Sequence, residues 1–232
     1  MTFIVAEIGV NWDGDFELLD KMIKKCKKIG FDAIKFQSFN EALVKNHPEK
    51  IRLLKSTITY ENIEEINKIS KSNNMEWFCT PMFTEAVSML EPFVSKYKIR
   101  EFDGRTLFTN KISNLLKKAL ETKKELIISS QNSPKNVKFV KKKRTKWLYC
   151  VPKYPCSLED IEFSNLKDFD GYSNHCTEII APLTAAILGS NILEIHITSD
   201  KSKDFVDNNV SLDYFEAEKL LGHIHLVEKI KK

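Results

Sequence analysis

Short apolar runs recur along the whole of this chain, and almost every one is followed by an amphipathic stretch, a pattern that leaves few folds open. Eight runs read as strands, at residues 3 to 8, 32 to 37, 76 to 80, 97 to 102, 125 to 129, 146 to 150, 168 to 172 and 192 to 197. Helical periodicity spans Glu17 to Ile29, where Leu18, Met22 and Cys26 share a stripe, then Ile63 to Ser72, Thr84 to Val94, Lys111 to Glu121, Pro134 to Lys143, Ile179 to Leu188 and Leu212 to Ile230. Strands that alternate with helices pair in parallel, because each helix carries the chain back to the same end of the sheet. Eight such units within 232 residues predict one domain over residues 1–232, an α/β fold of the (β/α)8 TIM-barrel type. An open doubly wound sheet is the competitor, but no glycine-rich phosphate loop follows the first strand. The sixth unit is irregular, since Pro152-Lys153-Tyr154-Pro155 resists helix formation.

In a barrel of this kind the chemistry sits at the C-terminal strand ends. Side-chain parity along the last strand groups Leu193, Ile195 and Ile197 on one face and Glu194 with His196 on the other. The same split sets Ile4, Ala6 and Ile8 against Glu7, and Ile34 and Phe36 against Lys35 and Gln37. Glu7, Lys35, Thr80, Lys98, Ser129, Tyr154, His175 and His196 all fall at or just after strand ends. Two imidazoles on neighbouring strand ends, with Glu194 beside one, point to a metal in an enzyme mouth. His47, His223 and His225 have no such company and read as surface or packing residues. Lys35 and Lys98 bind an anion, or else pair with Glu7 and Glu194 in a structural network. A thiolate site from Cys150, Cys156, Cys176 and His175 is a weaker alternative, because the spacing matches no zinc signature. Asp13-Gly14-Asp15 reads as a turn and helix N-cap.

The net charge of +4 is mild and lies largely in lysine runs such as 24–28 and 141–144, which read as solvated helix faces. With no basic stripe interleaved with aromatics, nucleic acid is excluded as a partner. Five irregularly spaced cysteines argue for reduced thiols and a cytoplasmic setting. The N-terminus lacks the basic and apolar regions of a signal peptide, and no run is long enough to span a membrane.

Several strand-end segments are similar, in order, to motifs of the sialic acid synthase family. Residues 6–15, AEIGVNWDGD, resemble its opening AEIGxNHxGD, with Trp12 where histidine is usual. Lys35-Phe36-Gln37-Ser38-Phe39 resembles KFQ[TS]F, Cys79-Thr80-Pro81-Met82 resembles STPF, and Tyr97-Lys98-Ile99 resembles YKI. Gly171-Tyr172-Ser173-Asn174-His175 is similar to GYSDH, residues 193–198 to IEKHFT, and residues 207–212 to DHxxSL.

The resemblance implies a transferase that condenses phosphoenolpyruvate with an N-acetylmannosamine-like sugar aldehyde, giving a sialic-acid-like nonulosonic acid and phosphate. It implies that Lys35 and Lys98 meet the substrate's charge, with hydroxyl donors from Thr80, Ser129 and Ser173. His175 and His196 would hold a divalent metal, Mn²⁺ in the family and Mg²⁺ as the alternative, with water and substrate oxygens completing the shell. Glu7 and Glu194 are the candidate carboxylates for proton transfer and charge stabilisation, and Tyr154 and Asp207 would contact the sugar.

The departures are specific. The family's antifreeze-like domain, which sends an arginine to the partner's sugar site, does not follow the barrel in this sequence, so a separate antifreeze-like protein and a homodimer join the two substrates as expected partners. Arg100-Glu101-Phe102-Asp103 replaces the usual serine and acid, and an inward Glu101 would repel phosphate. Ser129-Ser130-Gln131-Asn132 replaces STGM and removes a glycine that lets backbone amides approach phosphate, while Lys153 is a compensating cation nearby. The alternatives are a metal-dependent pyruvate aldolase or lyase on the same barrel, and a non-catalytic barrel that binds a sugar or partner.

Overall fold

The computed structural model describes residues 1–109, 111–137 and 144–231. Its eight parallel strands close in chain order: β1 (Phe3–Gly9), β2 (Ala33–Ser38), β3 (Glu76–Pro81), β4 (Lys96–Ile99), β5 (Glu125–Ser130), β6 (Thr145–Tyr149), β7 (Gly171–Asn174) and β8 (Ile192–His196). β8 pairs back onto β1 with His196 opposite Glu7, and β2 sets Lys35 opposite Glu7 from the other side. The TIM-barrel expectation holds.

Helices clothe the barrel: α1 (Phe16–Ile29), α2 (Glu41–Val44), α3 (Lys50–Ser56), α4 (Ile63–Ser72), α5 (Thr84–Leu90), α6 (Glu101–Gly104), α7 (Asn114–Glu121), α8 (Ile180–Ile187) and α9 (Tyr214–Ile230). α1 shows how the sequence specifies one. The Asp15 carboxylate accepts from the amides of Glu17 and Leu18, Leu19, Met22, Ile23 and Cys26 form the buried face, and Gly30 at φ 109° ends it in the left-handed region. The turn-and-cap reading of residues 13–15 is thus correct.

The differences from the sequence reading are local and have physical causes. β4 stops at Ile99 and not at residue 102, because residues 101–104 wind into α6, where the Gly104 amide donates to Arg100 O at 2.9 Å. β7 begins at Gly171, since Asp170 turns back to accept from the Trp147 amide at 2.8 Å. α5 ends at Leu90 because Pro92 has no amide hydrogen with which to continue the helical ladder. α7 begins at Asn114, capped by Ser113. The helix expected from Pro134 opens as a 3₁₀ turn over Pro134–Asn136, and residues 138–143, with most of the 141–144 basic run, lie outside the described residues. Two 3₁₀ turns, Leu158–Asp160 and Leu166–Asp168, occupy the sixth connection, as its prolines required.

One glycine fixes the barrel wall. A Cβ at Gly171 would lie 1.9 Å from Ile192 O, so β7 and β8 can approach only without a side chain there. Among the described residues no helix is long and apolar enough to cross a membrane, and all five cysteines are free and buried.

Candidate active site

Parity along the strands decides which side chains enter the barrel, and at its C-terminal end they are polar. Glu7, Lys35, Thr80, Lys98, Ser129, Tyr154, Ser173, His175, Glu194, His196 and Asp207 all line one cavity of about 400 Å³. The residues expected to act in catalysis, bind substrate or hold a metal are therefore brought to a single place. The volume suits two small substrates side by side.

At its floor lies a buried network of charge. Lys98 Nζ donates to Glu194 Oε1 at 2.7 Å, a contact that crosses the barrel from β4 to the opposite wall. Ser173 Oγ donates to the same oxygen at 2.8 Å. Lys35 Nζ stands 2.8 Å from Glu7 Oε1, 3.1 Å from Thr80 Oγ1 and 4.0 Å from Glu194 Oε1. Gln37, which the sequence reading placed on the Lys35 face but not in the site, donates to Glu7 Oε1 at 2.8 Å. Its alternation with Lys35 was the available signal.

Buried charges of opposite sign satisfy each other only where geometry allows, and here the two carboxylates fare differently. Burial pushes Glu7 up to about 7, with Lys35 opposing and the Glu194 charge adding to the rise. Burial would raise Glu194 as well, but the ammoniums of Lys35 and Lys98 and the hydrogen bonds from Lys98 and Ser173 outweigh it and hold this group at about 2. Lys35 stays charged, since Glu194 and Glu7 overcome its own desolvation. The site thus holds one permanently ionised carboxylate and one that exchanges a proton near neutrality, the separation that acid–base chemistry needs. Glu7 Oε2, Glu194 Oε2 and Ser129 Oγ, all on residues that line the cavity, are buried with no hydrogen-bond partner among the described residues.

The histidines form the upper wall. His175 Nδ1 lies 2.6 Å from Val151 O, and since a carbonyl only accepts, the proton sits on Nδ1 and leaves Nε2 as the lone-pair nitrogen. That nitrogen accepts from the Tyr154 hydroxyl at 2.7 Å, the ring of Tyr154 being exposed while its hydroxyl points inward. The two imidazoles are 5.6 Å apart between centroids. Burial pushes His175 down to about 4 and His196 well below its ordinary value, so both are neutral at physiological pH. His196 Nδ1 is buried without a hydrogen-bond partner among the described residues, 3.8 Å from Asp207 Oδ2.

Three features correct or complete the sequence reading. Glu101 does line the cavity, but Arg105 binds its carboxylate through Nε and Nη2, so its charge does not stand alone. Lys153 turns away from the cavity to Asp160, at 2.7 Å, and offers no compensating cation. The thiolate alternative fails because among the described residues no three His, Cys, Asp or Glu side chains come together as a metal site, and burial pushes the Cys150 thiol up to about 12 and the Cys156 thiol up to about 11.

The NeuB family model matches residues 22–232. An uncharacterized protein of Methanocaldococcus jannaschii is 31% identical over 247 residues, covering 99% of this chain and 72% of the relative. Human N-acetylneuraminate-9-phosphate synthase is 28% identical, covering 98% and 70% respectively. Among solved structures, a sialic acid synthetase of Leptospira borgpetersenii superposes with a TM-score of 0.87 at 28% identity, covering 99% of this chain and 84% of that one.

Proposed function

This chain belongs to the NeuB family, and from that membership we propose that its barrel condenses phosphoenolpyruvate with an amino-sugar aldehyde to give a nonulosonic acid and phosphate. The observation that carries the reading is the floor network, in which Lys35 and Lys98 bracket two carboxylates of opposite proton affinity beside unsatisfied hydroxyl and carboxylate atoms. A near-trianionic substrate held away from water needs such cations and donors. Lys35, Lys98, Thr80, Ser129 and Ser173 supply them.

The enol carbon attacks the aldehyde carbon, forming the new bond and leaving positive charge on the phosphate-bearing carbon. Glu194, ionised and fixed by Lys98 and Ser173, stabilises that charge. Water then adds to the same carbon and Glu7 takes its proton, a task matched to a carboxyl that titrates at about 7. The proton that Glu7 took passes to the new alkoxide, and the tetrahedral intermediate breaks its carbon–oxygen bond to phosphate, which leaves with the hydroxyl proton and yields the ketone of the product. Tyr154, Asp207 and Gln37 line the remaining wall, where the sugar's hydroxyls sit.

The donor set also fits a divalent cation. His175 carries a neutral Nε2 lone pair, which would exchange the Tyr154 hydroxyl for the cation, and His196 a buried unpartnered nitrogen. No three His, Cys, Asp or Glu side chains among the described residues make a closed metal site, so water and substrate oxygens would have to complete the shell. Mn²⁺ bound there, or Mg²⁺, would polarise the aldehyde and stabilise the alkoxide that forms on it. The reading extends to a single catalytic barrel over residues 1–232 acting in the cytoplasm, with a second copy or a separate antifreeze-like protein as partner at the sugar end.

The test is phosphate release from phosphoenolpyruvate with Mn²⁺ and N-acetylmannosamine or its 6-phosphate, with the ketoacid product identified by mass. Release that requires an aldehyde and disappears in Glu7→Gln supports the reading. Condensation of pyruvate with no phosphate released would replace it with an aldolase.

A further inference from the structure

The same cavity is walled by two arginines that the sequence reading left without a role, Arg100 and Arg105, at either end of α6. Gly104 seats this turn directly on β5, since a Cβ there would lie 2.7 Å from Ile128 Cγ2 and 3.2 Å from Ser129 O. Arg105 is the next residue, and it stands over the same strand end as the unpartnered Ser129 hydroxyl. The two guanidiniums are held differently. Arg100 is spent on Asp103, with Nε at 2.6 Å and Nη2 at 3.3 Å. Arg105 gives Nε and one Nη2 proton to a single oxygen of Glu101, which leaves three of the five guanidinium protons free.

Two shortages meet at this point. The first is charge: Lys98 is paired with Glu194, and Lys35 is shared between Glu7 and Glu194, so the floor is close to neutral before substrate enters. The second is donors. In the loop after β5 the Asn132 amide donates to Ser130 Oγ at 3.0 Å, and that hydroxyl donates back to Asn132 O at 2.8 Å, so this amide is consumed. A phosphate beside Ser129 therefore meets floor cations that are already paired and a loop in which one backbone donor is already spent.

We propose that Arg105, oriented by Glu101, is a ligand for the phosphate of phosphoenolpyruvate and gives it the charge-assisted guanidinium donors that the paired floor lysines and the loop after β5 leave short. A guanidinium held on one edge by a carboxylate offers its other edge to an oxyanion in a fixed plane, which a lysine ammonium cannot do. Glu101, in this arrangement, orients the donor and is itself neutralised. The inference rests on the phosphoenolpyruvate reading above.

Calorimetric titration of phosphoenolpyruvate and, separately, of pyruvate tests it, because pyruvate keeps the carboxylate and lacks the phosphate. Arg105→Ala should weaken phosphoenolpyruvate binding by at least ~10-fold, the scale of a hydrogen bond between charged groups, and leave pyruvate binding within about twofold. Arg105→Lys should recover part of the loss. The Arg105 side chain is half exposed, so both variants should melt as wild type does. Unchanged phosphoenolpyruvate binding in Arg105→Ala, or an equal loss for both ligands, would overturn the inference while leaving the reaction in place. Absence of phosphoenolpyruvate binding in the wild type would overturn the reaction, and this inference with it.

Discussion

Replacing Lys35 with methionine keeps most of the methylene stem and removes only the ammonium, and the cost should depend on pH in a direction set by Glu7. The lost group lies 2.8 Å from Glu7 Oε1 and 4.0 Å from Glu194 Oε1, in a site almost closed to water. Stripping one partner from a buried pair costs ~3–5 kcal/mol if the orphaned charge stays. Glu7 escapes part of that cost by binding a proton. A carboxyl whose folded value is raised above its ordinary 4.5 contributes its full stability at low pH and loses it as pH rises through the folded value, about 7 in the wild type. Without Lys35 the folded value moves higher, so the loss continues where the wild type's has ended. What Glu194 loses is the same at both pH values, so the gap between the two proteins should widen from pH 5 to pH 8.5 by at most ~2 kcal/mol, about 1.4 kcal/mol for each pH unit above the wild-type Glu7 value of about 7. For a chain of this size that is a widening of ~4–8 °C in melting temperature. Thermal melts followed by circular dichroism at both pH values give the comparison. An equal gap at both, or none at pH 8.5, would refute the claim that Lys35 governs the ionisation of Glu7.

The pH dependence of kcat/KM should show an ascending limb centred near 7, since Glu7 must lose its proton to act as base, and Glu7→Gln should be slower by at least ~100-fold with that limb gone. His175→Ala and His196→Ala should each weaken Mn²⁺ binding by at least ~10-fold, read from the free-ion electron paramagnetic resonance signal, and unchanged binding in either would remove that residue from the metal site. Gly171→Ala should fail to yield soluble folded protein, because a methyl group 1.9 Å from Ile192 O forces β7 away from β8; recovery of wild-type melting would show the wall to be more pliant than its contacts imply.

The parity of Glu194 with His196, and of Lys35 with Gln37, was legible because a strand offers only two faces and the apolar residues claim one of them. Glu7 could be placed at a strand end for the same reason. Arg105 could not, because α6 is a single turn with no periodicity to detect, and the predicted strand ran through its first residues to 102. Glu101 was misjudged in its effect for a related reason: its partner sits four residues on, a neighbour only once the turn is helical. The inward cation expected at Lys153 was equally invisible, since Asp160 reaches it only through the 3₁₀ turn of the sixth connection.

The sequence by itself determined the barrel, because eight strand periods alternating with helical ones admit one closed parallel arrangement at this length. It also determined which side chains enter the mouth. What it could not determine was their state. The proton affinities of Glu7 and Glu194 diverge through distances from β1 to the adjacent β2 and across the lumen from β4 to β8, the second of which exists only once the sheet closes. Chemically identical carboxylates take opposite roles because burial acts on both while two ammoniums reach one and a single ammonium reaches the other.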